Sequence, residues 1–379
     1  MSPATFVKLA PGDPAPWFTA ASTSRPDYAF DTAAGRYLLL CFYGSTADPL
    51  SRAALHAVAS DRGLFDDARL SFFAVSNDPA DQAQNRIKAS LPGIRIFWDF
   101  DGAVSRAYGA LAGNGQAQGG LPQRRLWIVL GPDLRVLRVL PFAADGTEQA
   151  ELFAFLEALP PLGQVAGIVV QAPVLFLPNV FEPELCATLI SQYERAGGVE
   201  SGYMIEADGK TVRAYDAKRK RRKDHEIADP ALRATIMGRF TRRIVPEITK
   251  AFQFRTTRIE RYIVGCYSAE DGGHFRPHRD NTTKGTAHRR FAVSINLNAD
   301  FEGGELSFPE YGPRGFKPPP GGAVVFSCSL LLAAGVVTRG RRYAFLPFLY
   351  DEAAAKLRLE NNPYLDETIG AYAGANVQR

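Results

Sequence analysis

The segment His274-Phe-Arg-Pro-His278-Arg-Asp280 holds the residue types best suited to bind a metal ion. On a β-strand, side chains two positions apart point to the same face, so His278 and Asp280 can present an imidazole and a carboxylate to one ion. These are two of the three groups in the facial arrangement that holds non-haem Fe(II). A histidine and an aspartate at this spacing also arise from ordinary strand packing, and the pair alone leaves that alternative open.

A second candidate is the basic run from Lys218 to Lys223, in which all six side chains are positively charged. Basic runs of this kind bind nucleic acid most convincingly when aromatic side chains lie between the charges. Here Tyr215 is the single aromatic neighbour. The pattern therefore favours a solvent-exposed loop, and a nucleic-acid partner is not predicted.

The elements around these candidates are predicted as helices followed by short strands. Pro183 and Pro230 stand in the first turns of two amphipathic segments, and Pro246 is expected to kink or divide the second one. From Arg258 onward, short apolar runs are separated by Gly and Pro, which predicts an antiparallel sandwich or barrel. The runs are IERYIVGCY, HFRPHRD, RRFAVSINLN, GELSFPE, GGAVVFSCS and RRYAFLPFLY.

The first part of the chain has a different pattern. RYLLLCFYG, RLSFFAVSND and IRIFWDFDG read as strands buried on both faces, with helical segments between them. RLWIVLGPDLRVLRVLP predicts a hairpin, and Glu148–Leu159 predicts a closing helix. Strands that alternate with helices indicate an α/β layer structure. Pro160 and Pro161 then predict a domain boundary near residues 160–172.

Length and composition limit the function classes. A chain of 379 residues with 46% hydrophobic and 22% charged residues is expected to form two globular domains. It contains no run of about 18 apolar residues, which excludes an integral membrane protein, and its start lacks the pattern of a signal peptide. The four cysteines form no CxxC pair, so we expect a reducing cytoplasm rather than a disulfide framework.

HFRPHRD, SINLN, FEGGELSFPE, PPPGGAVVFS and TRGRRYAFLPF occur in this order over roughly residues 175–351. The set resembles the prolyl 4-hydroxylase type of 2-oxoglutarate- and Fe(II)-dependent dioxygenase, in particular the branch that includes the oxygen-sensing prolyl hydroxylases. The resemblance implies a double-stranded β-helix with iron and 2-oxoglutarate bound in its mouth. It makes His278 and Asp280 iron ligands. It also places the basic run in a flap over the substrate and Thr282–Arg290 in a second rim loop.

The same resemblance implies a cosubstrate pocket. Arg342 stands where the family has the basic residue that binds the distal carboxylate of 2-oxoglutarate, and a guanidinium suits a carboxylate because it can pair with it bidentately. Tyr267 matches a tyrosine that helps hold this carboxylate, and Asn296 is expected to line the pocket. Strand alternation places Arg341 on the opposite face from Arg342.

The third iron ligand departs from the family pattern. The family has a histidine ten residues before the basic cosubstrate residue, and here that position is Leu332. All five histidines lie at or before residue 288. His274 is four strand positions from His278, about 13 Å away, which is too far to share a metal. His288 falls in a predicted loop, so no substitute is expected.

The segments APGDPAPWF, LLLCFYG, WDFDGAVSRAYGAL and RRLWIVLGPDLRV resemble the peroxiredoxin branch of the thioredoxin fold. A peroxiredoxin needs a thiolate at the start of the helix after the first of these strands, where the helix N-terminus lowers the thiol pKa. Residues 44–55, GSTADPLSRAAL, contain no cysteine, and Cys41 precedes them inside the strand as an expected inert core residue. A thiol peroxidase is therefore not favoured, and a structural or partner-binding role is expected for this domain.

The predicted fold is an α/β thioredoxin-like domain (1–162), an α+β double-stranded β-helix or jelly-roll domain (173–352) and a C-terminal extension (353–379). The predicted function is a 2-oxoglutarate- and Fe(II)-dependent dioxygenase that hydroxylates an aliphatic C–H, with a peptidyl proline as one candidate. The alternative is a degenerate, non-catalytic binding or scaffold protein. Fe(II), 2-oxoglutarate and O2 are the expected cofactor and cosubstrates, with ascorbate as a further candidate. The sequence does not identify the substrate, for which a protein or peptide is one candidate. No membrane partner is expected.

Overall fold

The computed structural model describes residues 4–113 and 122–373, and the chain divides into two compact units. The first unit extends to Gln171 and includes Pro309–Pro313. The second unit begins at Ala172 and holds the remaining residues. In the two described ranges, none of the helices has the length and apolar character needed to cross a membrane.

The first unit is built on a five-stranded sheet. Its strands are β1 (Tyr37–Gly44), β2 (Leu70–Ser76), β3 (Ile94–Trp98), β4 (Leu126–Leu130) and β5 (Val136–Pro141). They lie in the order β3-β2-β1-β4-β5, in which β1, β2 and β3 are parallel and β4 and β5 are antiparallel to their neighbours. Every residue of β1, β2 and β4 is buried, as expected for strands covered on both faces.

Among the residues that the structure describes, four α-helices accompany this sheet: α1 (Pro49–Ser60), α2 (Pro79–Ala83), α3 (Ala103–Ala107) and α4 (Glu148–Glu157). Val58 of α1 and Leu156 of α4 share one buried cluster with Leu39 and Trp127 of the sheet. The strand–helix alternation predicted for this part of the chain is therefore observed, and the hairpin turns between β4 and β5 where it was predicted. Two short antiparallel pairs, Thr19–Ala20 with Tyr28–Ala29 and Gln164–Val165 with Ile168–Val169, complete the unit.

In the described part of the second unit there are four α-helices: α5 (Pro183–Ala196), α6 (Pro230–Arg243), α7 (Val245–Phe252) and α8 (Glu352–Glu360). The chain divides between α6 and α7 next to Pro246, as predicted, because proline cannot supply the N–H that a continuous helix would need there.

Its strands are β6 (Leu175–Leu177), β7 (Val199–Glu200), β8 (Tyr203–Ala207), β9 (Lys210–Ala214), β10 (Lys220–Arg221), β11 (Lys223–Glu226), β12 (Arg258–Glu260), β13 (Ile263–Ser268), β14 (His274–His278), β15 (Phe291–Asn296), β16 (Phe301–Gly303), β17 (Leu306–Ser307), β18 (Gly315–Phe316), β19 (Ala323–Ser327), β20 (Leu332–Ala334), β21 (Val337–Phe345) and β22 (Phe348–Tyr350). A major sheet has the order β6-β19-β15-β21-β13-β11-β7, and a minor sheet has the order β10-β14-β20-β17-β18. Neighbouring strands in both are antiparallel, which is the jelly-roll arrangement expected from the sequence.

The major sheet has two chemically different faces. Val293 and Phe345 lie in one buried cluster with Leu189, Phe240 and Ile248 of the helices. Because side chains alternate along a strand, the neighbours of these core residues point to the other face. That face carries Tyr267 on β13, Ser294 and Asn296 on β15, and Arg342 on β21, all buried.

The C-terminal extension packs on the hairpin formed by β8 and β9. Leu365 pairs with Thr211 of β9 in a parallel bridge, and the Asp366 N–H donates to the Thr211 carbonyl. Asn361 donates to the carbonyl of Lys284, in the predicted rim loop. The extension therefore connects the hairpin to the loop that follows the candidate metal residues.

Candidate functional site

The predicted metal ligands lie together at the end of β14. The strand ends at His278 rather than continuing to Asp280, but the Asp280 N–H still donates to the Cys328 carbonyl at 3.0 Å. Nδ1 of His278 lies 2.7 Å from the Arg276 carbonyl oxygen. Because a carbonyl oxygen can only accept a hydrogen bond, Nδ1 carries the proton. Nε2 is then left facing Asp280 Oδ1 at 3.5 Å. An imidazole nitrogen and a carboxylate oxygen so arranged can bind one divalent metal ion.

The charges around Asp280 keep it ionised. Burial alone would raise the pKa of this carboxyl, but its surroundings lower the pKa overall, and the charges of Arg289 and Arg261 contribute to this. Arg289 also donates to the Asp280 carbonyl at 3.2 Å. The carboxylate is thus available as a metal ligand.

Leu332 lies directly across from His278, as its partner in the β14–β20 pairing. Its side chain is buried, and within residues 4–113 and 122–373 no group of three His, Cys, Asp or Glu side chains could hold a metal ion. His274 contacts the carbonyls of Gly272 and Lys218, and His288 is hydrogen-bonded to Glu260. The donor set therefore fits a metal at two positions, and the third position is apolar.

Arg342 and the other predicted cosubstrate residues meet on the inner face of the major sheet. Arg342 is 1% exposed and pairs across the strands with Tyr267, whose ring centroid lies 5.3 Å from the guanidinium carbon. Its Nε donates to Asn296 Oδ1 at 3.0 Å and its Nη2 to Ser294 Oγ at 2.8 Å. Nη1 is buried without a partner. An unsatisfied buried guanidinium nitrogen is a binding position for an anion.

The electrostatics of Arg342 agree with this geometry. Burial lowers the pKa of its guanidinium and Arg222 adds to the effect, while Tyr267 and Glu305 partly oppose it. Asn296 is fixed in turn, because its amide nitrogen donates to the Pro318 carbonyl at 2.9 Å and so turns Oδ1 towards the arginine. Arg341, in contrast, is exposed and pairs with Glu270, as strand alternation predicts.

The interpretation of residues 218–223 as a solvent-exposed loop is wrong, because Lys220, Arg221 and Lys223 lie on β10 and β11, and two of the six side chains are buried. Lys220 is 5% exposed and Arg222 is also buried. Arg222 binds Asp224 through Nε at 2.6 Å and Nη2 at 2.7 Å, and its Nη1 donates to the Tyr267 hydroxyl at 3.3 Å. Lys220 donates to Ser201 Oγ and to the Gly202 carbonyl, both at 2.7 Å. A uniform run of basic residues carries no hydropathy alternation, so it does not indicate which side chains turn inwards.

In the first unit, the start of α1 holds a closed polar cluster. Asp48 caps the helix by accepting from the Ser51 N–H at 2.8 Å, and it pairs with Arg125 at 2.9 Å. The Ser51 hydroxyl is fully buried, lies 2.8 Å from the Tyr43 carbonyl and accepts from Arg125 Nε at 3.2 Å. Cys41 lies inside β1, where burial raises its pKa well above the ordinary value. Neither feature provides a reactive thiol at the helix start.

Two family models match separate parts of the chain. Residues 11–134 match the AhpC/TSA family, and residues 262–350 match the 2OG-Fe(II) oxygenase superfamily. The first unit thus has the thioredoxin-type fold of peroxiredoxins and the second has the jelly-roll fold of these oxygenases, which confirms the predicted fold class. The second match supports an oxygenase class for the second unit. None of the curated proteins matches the chain significantly.

Solved structures of prolyl hydroxylases and of peroxiredoxins are similar to this chain. A Pseudomonas putida prolyl-4-hydroxylase is 14% identical over 48% of this chain and 94% of its own, with a TM-score of 0.37. A Trichoplax adhaerens prolyl hydroxylase, solved with a hypoxia inducible factor peptide fragment, is 16% identical over 50% and 86%, with a TM-score of 0.37. The bacterioferritin comigratory protein of Xanthomonas campestris is 20% identical over 37% and 90%, with a TM-score of 0.31.

Proposed function

We propose that the second unit binds 2-oxoglutarate and acts as an Fe(II)-dependent oxygenase whose metal is held by two protein side chains, His278 and Asp280. The observation that carries the proposal is the buried guanidinium of Arg342, which donates to neutral oxygens and keeps Nη1 without a partner. Leaving a buried charge uncompensated costs several kcal/mol, about 3 to 5 when the missing partner is an opposite charge. A carboxylate of the cosubstrate supplies that charge.

The residues around Arg342 prepare it for this carboxylate. Asn296 and Ser294 hold Nε and Nη2, so that Nη1 keeps one orientation. The Tyr267 hydroxyl accepts a hydrogen bond from Arg222, and its own proton remains available for a carboxylate oxygen. Asn296 acts through Arg342 and is a positioning residue. Two donors, one of them charged, then converge on one end of a dicarboxylate.

At the end of β14, His278 Nε2 and Asp280 would hold the iron. The Arg276 carbonyl fixes the tautomer that leaves Nε2 unprotonated, and such outer contacts orient a metal-binding imidazole. When bound, Fe(II) together with 2-oxoglutarate would supply the oxidative decarboxylation by O2 that drives hydroxylation of an aliphatic C–H. A peptidyl proline is one candidate substrate, and ascorbate stays an expectation of the family resemblance.

A second candidate function follows from Leu332. Its buried apolar side chain stands across from His278, where it can give no ligand to a metal. A protein that kept Arg342 but bound iron too weakly for turnover would be a non-catalytic 2-oxoglutarate-binding protein. Under either function, we propose a structural or partner-binding role for the first unit, whose helix start lacks a thiol.

An anaerobic titration of the full chain separates these functions. Fe(II) and 2-oxoglutarate bound together to His278 and Asp280 should give a weak visible charge-transfer band, and admission of air should release succinate. Both signals should be lost in His278→Ala. Binding of 2-oxoglutarate without the band or succinate would select the non-catalytic function. Absence of 2-oxoglutarate binding would contradict both.

A further inference from the structure

We infer that Lys220 forms a second anion-binding point in the second unit, and that it binds a carboxylate of the substrate to be oxidised. The identity of that ligand as the substrate rests on the proposed function, whereas anion binding at Lys220 does not. The inference names a substrate class, a small carboxylic acid with an apolar chain, which differs from a neutral peptidyl proline.

The position of Lys220 is the first support. It lies on β10 at the edge of the minor sheet and pairs with Phe275 of β14. Its ammonium nitrogen is 4.9 Å from the Phe275 ring centroid, and that ring stacks on the His278 imidazole with 3.5 Å between centroids. One aromatic ring therefore separates the ammonium from a candidate metal ligand. A ligand held by Lys220 would lie beside the metal position.

The second support is that the hydrogen bonds of Lys220 go to neutral oxygens. Its nitrogen donates to two neutral oxygens, Ser201 Oγ and the Gly202 carbonyl, and an ammonium has a third donor to offer. Burial lowers the pKa of Lys220 well below its ordinary value, and the charge of Arg222 adds to this, although Asp224 and Asp280 act in the opposite direction. A bound carboxylate would favour the charged form again.

Neither nearby carboxylate is free to pair with Lys220. Asp224 is bound through both oxygens by Arg222. Asp280 faces His278 at 3.5 Å and is committed to the metal position. An anion bound at the third donor position would therefore restore the charged form of Lys220, because a buried charge is strongly disfavoured unless it is paired.

The Lys220 position is distinct from the cosubstrate pocket. Arg342 lies on the major sheet and is held by Ser294 and Asn296, whereas Lys220 lies on the minor sheet and is held by Ser201 and Gly202. The Arg222–Asp224 ion pair stands between them, since Arg222 donates both to Tyr267 Oη and to Ser201 Oγ. Two separate positive groups can hold two anions at once.

The surroundings of Lys220 indicate what the rest of the ligand is like. The rings of Tyr203 and Phe275 lie 6.4 Å apart, and Leu332 is buried across from His278. Aromatic and aliphatic neighbours favour an apolar chain attached to the acid group. A chain anchored at Lys220 would thus contact these side chains.

The test uses the full chain and two probes of nearly equal shape, butyrate and butyramide, each titrated in the presence and absence of saturating 2-oxoglutarate. We expect butyrate to bind at least about tenfold more tightly than butyramide, since a hydrogen bond to a charged group is stronger than a neutral one. Lys220→Met should remove this preference and leave 2-oxoglutarate affinity intact. Arg221→Met is the matched control, because Arg221 is its exposed neighbour on β10 and should leave both unchanged.

Equal binding of the two probes by the unsubstituted chain would overturn the inference, and this comparison does not depend on a variant that folds. It would also be overturned if butyrate competed with 2-oxoglutarate and was lost in Arg342→Met but not in Lys220→Met, because the acid would then occupy the cosubstrate pocket. Charge-selective butyrate binding that needs Lys220, in a chain that does not bind 2-oxoglutarate, would contradict the proposed function and support the second anion-binding point.

Discussion

The start of α1 in the first unit carries no thiol, and in the jelly roll of the second unit Leu332 stands where the family resemblance predicts a histidine. Their polar side chains nevertheless differ. Around α1, the Asp48 carboxylate and the Ser51 hydroxyl are engaged with each other and with Arg125. In the jelly roll, Arg342 and Lys220 are buried and donate to neutral oxygens alone. A closed hydrogen-bonded cluster indicates a structural role, and buried uncompensated charges indicate a ligand.

The strongest test of this contrast is removal of the Arg342 guanidinium. Arg342→Ala should weaken 2-oxoglutarate binding by roughly 3 to 5 kcal/mol, since the bound carboxylate would lose its buried partner. Lysine at this position should recover part of the affinity through its charge. Calorimetric titration of the full chain measures both variants.

Arg341→Ala is the control for that measurement. Arg341 is exposed and pairs with Glu270 on the outside of the same strand, so its loss should change 2-oxoglutarate affinity little. Small, equal effects of the two alanine variants would mean that 2-oxoglutarate is not the ligand of this pocket.

The next effect concerns the apolar third position of the metal site. Leu332→His should raise Fe(II) affinity by roughly 10- to 100-fold, the range attributed to groups that support a metal site. Ala333→His is the matched control, because Ala333 is the next residue of β20 and points to the opposite face. Competition with a metal-binding dye gives both affinities. If the two variants bound Fe(II) equally, Leu332 would not stand at a ligand position.

A thiol placed at the start of α1 probes the other region. Ser51→Cys should give a thiol with a pKa about one unit or more below the ordinary 8.5, because the helix N-terminus and Arg125 favour the thiolate. Ser60→Cys, at the other end of α1, should not show this shift. Thiolate absorbance against pH reports both. An unshifted thiol at position 51 would show that Asp48 cancels the positive charge there.

The smallest effect tests whether the α1 cluster is structural. Asp48→Ala removes the helix cap and should reduce the free energy of unfolding by about 1 kcal/mol. Asp61→Ala, at the other end of the helix where the side chain does not cap, should stay within about 0.5 kcal/mol. Urea unfolding of the full chain measures the difference. Equal stabilities would mean that this cluster contributes nothing to the fold.

The sequence alone determined most of the architecture. Continuous apolar runs predicted β1, β2 and β3. Prolines in the first helical turn predicted where α5 and α6 begin, and Pro246 predicted where α6 gives way to α7. Strand alternation predicted that Arg341 and Arg342 face opposite sides, because the two are adjacent on one strand, and the family resemblance assigned Arg342 to the inside. These predictions need local information: hydropathy, spacing and backbone sterics.

The tertiary structure decided which polar groups stay uncompensated. Lys220 and Arg222 turn inwards from a run of identical charges, where no hydropathy period exists to indicate the buried face. His288 is held by Glu260, and Leu332 faces His278, through pairings between segments far apart in the chain. Strand register and long-range packing set these contacts, and both depend on the whole fold rather than on any local stretch of sequence.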